Sequence, residues 1–384
     1  MTDRAPYIRH YAALVATVRH GSLNRAARAV NLSQPALTQA IRGLESALGV
    51  TLFERGPAGM TPTEPALLLT ARAETAIEHI GSPRVTGTQV RAFLTVARAG
   101  SYAAAARASG LSAATLHRAV ADLSVALGQK LIDRRGRTLV LTEAGSRRAR
   151  GFSLAMAELR SGLAEVASWQ GRGGGRITVG AMSLSRARWL PEAIATFAAS
   201  HPDFEISVHE GNHAELSGPL RDGEIDLMLG ALREDVEVDD LDQEPVFEDR
   251  PVIVMRPDHP WFSGSLAADL ASYRWLIPGR QTPLRRYWEQ MLCELGLEPP
   301  PVAIECGSAI MIRQLLLSDH YLSLLSPSQI AVELKANLLV SRPTPVPVVR
   351  TIGISTRAGW RATPLQSQFV DTLRRTGQSI IQNL

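Results

Sequence analysis

The chain has 384 residues, 45% hydrophobic and 20% charged, with a formal net charge of +4. That length exceeds one ordinary core, so two or three domains are expected. No apolar run reaches the roughly 18 residues of a membrane-spanning helix. The opening MTDRAPYIRHYAALVATVRHGS lacks the apolar core and cleavage site of a secretory signal, and a cytoplasmic protein is expected. Cys293 and Cys306 are the only cysteines, too few for a disulfide framework.

Charge is unevenly spread. Residues 1–150 carry 20 Lys and Arg against 9 Asp and Glu, whereas residues 151–384 carry 21 against 28. A basic first part beside an acidic remainder suggests a polyanion partner for the first part. A solvated Arg-rich surface is the plainer alternative.

In chain order, residues 8–19 have apolar residues at helical spacing. Ser22 can cap a second helix, LNRAARAV, which stops at Asn31. Ser33 caps a third, QPALTQAIRGLESAL, where Pro35 is tolerated because first-turn N–H groups have no intrahelical partner. Leu37, Ile41, Leu44 and Leu48 mark its buried face, and Gly49 ends it. LFERGPAGMTPT then reads as two short strands. The plan recurs with Ser101, Ser112, Leu116, Val120, Leu123, Leu127 and Gly128. Aligning Gly21–Glu64 on Gly100–Glu143 needs no gap and gives 18 identities in 44 positions, an internal duplication.

Helices follow both copies. Glu64–Ile80 ends at Gly81-Ser82-Pro83. A longer helix runs from about Glu143 to Gln170, with Ala149, Phe152, Met156, Leu159, Leu163 and Val166 forming a heptad seam. A second chain is the favoured cover for this seam; its own domain is the other. GRGGGR (Gly171–Arg176) lacks the GK[ST] ending of a phosphate loop and reads as a linker. From Ile177, short apolar strands alternate with helices, which predicts a mainly parallel sheet. VIVMRP begins a crossing into a second lobe, and RTIGISTR returns to the first. The expected divisions are 1–82, 83–143, 144–175, 176–256, 257–345 and 346–384.

Each copy reads as a winged helix-turn-helix, which sets its second helix of the motif in the DNA major groove. Ser33 and Pro35 open that helix in copy one, and Gln34, Thr38, Gln39 and Arg42 can read base edges, with Gln suited to adenine and Arg to guanine. The copy-two candidates are Ser112, Thr115, His117 and Arg118. Ribbon residues Arg55, Arg134, Arg135 and Arg137 suit phosphate. Solvent exposure alone is the competing account of each. Enzymatic readings lack support: HExxH, GxSxG, Walker and CxxC motifs are absent, and the nine His have no metal-ligand spacing. No cofactor or metal is implied.

SLNRAARAVNLSQPALTQAIRGLESALGVTLFER closely resembles the DNA-binding segment of LysR-type transcriptional regulators. RITVGAMSLSRARWLPEAIATFAASHPDFEISVHEGNHAELSGPLRDGEIDLMLGA is similar to the start of their effector region, which itself resembles two-lobed (type 2) periplasmic solute-binding proteins. The resemblance covers the whole chain, and the doubled winged helix departs from the family's usual single one. VAIECGSAIMIRQLLLSDHYLSLLS and IGISTRAGWRATPLQSQFVDTLR resemble the branch holding regulators of protocatechuate breakdown and sugar uptake.

The resemblance implies a multidomain fold: α+β winged helices, a dimerisation helix and two α/β lobes. It implies operator DNA, a small-molecule effector between the lobes, a homodimer or homotetramer, and contact with RNA polymerase. Matched by position, the first-lobe effector candidates are Ser183, Leu184, Ser185 and Asn212. The second-lobe candidates are Arg280, Gln281, Thr282, Gly307 and Ser308, with Arg280 as the cation facing the first lobe. Helix capping is the alternative role of each. A rival reading makes the chain a soluble ligand-binding protein whose repeats are a protein-interaction module, since Ala113 and Ala114 replace Gln34 and Pro35.

Overall fold

Copy one folds as α1 (Ile8–His20), α2 (Leu23–Ala29), α3 (Gln34–Leu48) and a ribbon of β1 (Phe53–Gly56) and β2 (Gly59–Pro62), followed by α4 (Glu64–Ile80). Copy two repeats this as α5 (Gly87–Ala99), α6 (Tyr102–Ser109), α7 (Ala113–Leu127), β3 (Ile132–Arg135), β4 (Thr138–Leu141) and α8 (Glu143–Trp169). This computed structural model describes residues 8–56, 59–136, 138–172, 174–233, 240–263, 267–280 and 282–382. Arg137 and Gln281 lie outside them.

Local signals act as the spacing predicts. The Ser33 hydroxyl accepts the Ala36 N–H at 3.3 Å, and Ser112 accepts the Thr115 N–H at 3.0 Å. Leu37, Ile41, Leu44 and Leu48 are buried, and Gly49 and Gly128 end α3 and α7 at φ of 66° and 62°, a left-handed conformation that favours Gly. Ser22 departs from expectation: it stands at the cap position of α2, but its side chain makes no capping bond. Asn31, at φ 53°, follows the end of that helix. The two ribbons dock alike, Met60 N–H on the Gly21 carbonyl and Leu139 N–H on the Gly100 carbonyl, both at 3.0 Å.

The heptad seam is covered from within the chain. α8 runs antiparallel to α4, so that Trp169 Nε1 donates to Glu64 Oε2 at 3.0 Å near one end. At the other end Arg148 reaches the Ile80 carbonyl at 3.4 Å. Phe152, Ala155, Leu159 and Val166 join Leu69, Ala73, Ala76 and Ile80 in one core that is continuous through both winged helices. The expected partner chain is therefore replaced at this seam by α4. Spacing predicted that a helix covers the seam, and the duplication supplied that helix in cis. At the centre of this pair Arg72, 4% exposed, meets Glu158 at 3.0 Å and Glu165 at 2.5 Å.

The remainder forms two lobes. Lobe I contains β5 (Gly175–Ala181), α9 (Trp189–Ser200), β6 (Phe204–Glu210), α10 (His213–Arg221), β7 (Leu227–Ala231) and β8 (Leu241–Asp249). Lobe II contains β9 (Val252–Met255), β10 (Arg274–Ile277), α11 (Pro283–Glu294), β11 (Ile304–Glu305), α12 (Ala309–Ser318), β12 (Tyr321–Leu325), α13 (Ala331–Lys335) and β13 (Val340–Pro343). β14 (Arg350–Arg357) and α14 (Pro364–Gln382) return to lobe I. The sheets run β6-β5-β7-β14-β8 and β11-β10-β12-β9-β13.

Each sheet is mixed, which corrects the expectation of a mainly parallel one. In each, two parallel pairings adjoin two antiparallel ones made by a single reversed strand, β14 in lobe I and β9 in lobe II, because the chain crosses between lobes twice. The first crossing lies between Asp249 and Val252, so β9 belongs wholly to lobe II and the 256/257 division falls too late. Among the described residues no helix is long and apolar enough to cross a membrane.

Candidate functional site

The first candidate surface is the exposed side of the two motif helices. Ser33, Gln34, Pro35, Gln39 and Arg42 are exposed on α3, and Thr38 is half-buried with its hydroxyl donating to the Gln34 carbonyl at 2.9 Å. Thr38, Arg42 and the ribbon residue Arg55 share a shallow groove of about 280 Å³ between α3 and its wing. On α7, Ser112, Thr115, His117 and Arg118 are exposed. The Ser112 and Thr115 hydroxyls lie 2.8 Å apart, which commits them to each other. The His117 ring packs 5.1 Å from that of Tyr102, a neighbour that sequence reasoning passed over. Arg134 and Arg135 are exposed on the second wing.

The second candidate is a cleft of about 520 Å³ between the lobes. It brings together Ser183, Leu184 and Asn212 from lobe I with Thr282, Gly307 and Ser308 from lobe II. Asn212 accepts the Glu215 N–H at 3.1 Å, Thr282 accepts the Arg285 N–H at 3.4 Å, and Ser308 accepts the Met311 N–H at 3.4 Å. These side chains cap α10, α11 and α12. What they bring to the cleft is three helix N-termini, whose dipoles and free N–H groups favour an anion. Ser183 also accepts a 3.2 Å hydrogen bond from Gln329 Nε2, which links the lobes across the cleft.

Two expected residues are elsewhere. Ser185 is fully buried, its hydroxyl turned to the Met182 and Leu229 carbonyls at 2.8 and 3.2 Å; it ties the loop after β5 to β7. Arg280, in the loop after β10, is exposed and is not among the residues lining the cleft. Among the described residues, the arginines lining the cleft are Arg186, Arg233 and Arg350.

Arg186 is paired with Glu210. Arg350 is 9% exposed, and its Nε donates to the buried Asp249 at 2.6 Å. Its Nη2 is buried without a hydrogen-bond partner, a state that costs about 1–3 kcal/mol for a donor. The signal was present in RTIGISTR, an apolar strand that opens on an arginine. Burial, with Arg233 and Arg221 nearby, pushes the His213 pKa below its ordinary value.

Comparison with known proteins fits both surfaces. The helix-turn-helix model of the bacterial lysR family of regulatory proteins matches residues 8–67 and again 88–146, and the LysR substrate binding domain matches 170–378. The chain belongs to the LysR family. This LysR-type regulator is 29% identical to the HTH-type transcriptional regulator GalR of Pseudomonas putida over 96% of its own length and 97% of the relative's. It is 26% identical to PcaQ of Agrobacterium fabrum over 68% and 84% of the two chains.

Among solved structures, a full-length OxyR variant of Pseudomonas aeruginosa superposes with a TM-score of 0.56 at 22% identity, covering 76% of this chain and 97% of that one. CbnR in complex with its target DNA gives 0.55 at 21%, covering 75% and 98%. These two are matched almost entirely by about three quarters of the present chain. The LysR-type regulator thus carries two DNA-binding helix-turn-helix segments and a substrate binding domain, the parts of a transcriptional regulator. The relatives are regulators, so the reading as a ligand-binding protein with an interaction module is set aside.

Proposed function

We propose that this cytoplasmic regulator responds to a small carboxylate-bearing metabolite held between its lobes. Copy one supplies most of the base reading through Gln34, Thr38, Gln39 and Arg42, and copy two adds Arg118 and the wing cations Arg134 and Arg135. Lobe closure on the effector repositions the protomers on DNA and alters contact with RNA polymerase, which requires different effector affinities for the two arrangements. The likeness to the transcriptional regulators GalR and PcaQ supports the regulatory reading.

One observation carries the effector class. Arg350 lines a cleft at which three helix N-termini also lie, and it has a buried N–H donor with no hydrogen-bond partner among the described residues. Arginine suits a carboxylate because its fork makes two parallel, charge-assisted hydrogen bonds. The test is a thermal-shift panel of organic acids and monosaccharides on the full chain, repeated with Arg350→Met and Ser183→Ala. An acid at about 100 times its dissociation constant stabilises the protein by about 2.7 kcal/mol, and Arg350→Met abolishes the shift. A monosaccharide that stabilises Arg350→Met as well as the parent overturns the assignment.

A further inference from the structure

The two winged helices are related by more than sequence. The repeat makes Arg72 equivalent to Gly151 and His79 equivalent to Glu158. Arg72 touches Glu158 at 3.0 Å. Gly151 lies so close to His79 that an added Cβ would sit 2.9 Å from the His79 carbonyl oxygen. Exchanging the copies turns the first contact into the second, and this reciprocity is the signature of a twofold axis between α4 and α8. The equivalent residues Ala76 and Ala155, 1% and 0% exposed, lie midway between those contacts. Small side chains there let the helices approach closely.

Each long helix is fixed to its own head. Thr63 Oγ1 donates to the Thr51 carbonyl at 2.8 Å just before α4, and Thr142 Oγ1 donates to the Lys130 carbonyl at 2.7 Å just before α8. The twofold of the helix pair is therefore also the twofold of the heads, and α3 and α7 face a duplex with opposite polarity. A twofold pair of helix-turn-helix units matches inverted half-sites about one helical turn, or a multiple of it, apart.

The heads do not carry the same readers. Gln34, Thr38, Gln39 and Arg42 of copy one stand where copy two has Ala113, His117, Arg118 and Ala121. Glutamine suits adenine and arginine suits guanine, so the two half-sites differ in sequence. We infer that a single chain reads two inverted, unlike half-sites, with the α4–α8 pair standing where two separate chains would otherwise meet. The inference rests on α7 contacting DNA as α3 does.

The test uses the full chain. Binding-competent duplexes are selected from a random-sequence pool, for the parent and for Gln39→Ala and Arg118→Ala, both exposed positions. The expected motif has two inverted, non-identical halves. Gln39→Ala relaxes one half and Arg118→Ala the other, each lowering affinity for the parent motif roughly tenfold. In parallel, Glu64→Cys and Trp169→Cys are joined by a short bis-maleimide in a chain whose Cys293 and Cys306 are replaced by Ser. The expected product has the mass of one chain and retains the parent motif.

A direct-repeat motif overturns the inference, and so does a cross-linked product of two chains or none at all. A motif indifferent to Arg118→Ala shows that only copy one reads DNA; it overturns the paired reading while leaving DNA binding by α3 intact.

Discussion

Removing the Glu158 carboxylate should loosen the α4–α8 pair from its centre. Glu158 is 6% exposed, and its Oε2 accepts from Arg72 at 3.0 Å and from Arg361 at 2.9 Å. The Arg72 side chain is 5% exposed, whereas that of Arg361 is 44% exposed. Solvent screening leaves the Arg361 contact worth about 1 kcal/mol or less. The Arg72 contact is buried, and breaking such a pair from one side costs about 3–5 kcal/mol. Arg72 keeps Glu165 at 2.5 Å, which places Glu158→Ala near the low end, about 3 kcal/mol. Hydrogen exchange in α4 and α8 reads this locally, where a multidomain melting curve does not. Exchange from these helices should accelerate on the order of 100-fold, whereas Arg361→Ala should change it only a few-fold. Equal effects of the two variants, or an acceleration spread evenly over both lobes, would refute the argument.

Three further outcomes are expected. Leu159→Asp places a carboxylate in the core between α4 and α8, where Leu159 is 6% exposed and no partner awaits it; DNA binding should be lost while lobe II keeps its melting transition, and retained binding would show that the seam is dispensable. Joint replacement of Arg134 and Arg135 by Ala should lower the slope of log affinity against log salt by about 2, one per lost phosphate contact; an unchanged slope removes the second wing from DNA. The third outcome is a pH dependence in lobe II. Burial, aided by His320 and opposed by Asp258, pushes the His259 pKa down to about 4, and the Trp261 N–H donates to its Nδ1 at 3.1 Å. The folded state resists the proton that the unfolded chain takes up near 6.5. Stability is therefore whole above that pH and falls by roughly 3 kcal/mol as pH drops toward 4. Melting at pH 7 and pH 4.5 checks this, and His259→Gln should flatten the difference.

Helices and duplication were legible because apolar periodicity and capping residues are local signals. β8 was not. LDQEPVFED is acidic, contains Pro245, and pairs with β14 through a register shift at Ile352 and Gly353, so its alternation is broken. The heptad seam announced a covering helix without saying whose. A matching stripe of Ala66, Leu69, Ala73, Ala76 and Ile80 lay in α4, and reading the two stripes together would have found the internal pairing. In the cleft, the helix caps were legible and the cation was not. Arg280 stood in a loop where a ligand contact was expected, while Arg350 came from a strand far along the chain, brought in by the second crossing between lobes. Which arginine faces a cavity depends on that topology, and spacing carries no trace of it.

Covalent fusion of the two heads has a kinetic consequence. Once one head holds DNA, its partner is supplied at an effective concentration set by the α4–α8 pair and not by how much protein the cell makes. Engagement of the second head is then an intramolecular step, first order in chain and insensitive to dilution. Fusion also frees the heads to diverge. Identical subunits related by a twofold read the same text in both directions, whereas two heads mutating separately on one chain can give an operator a left and a right.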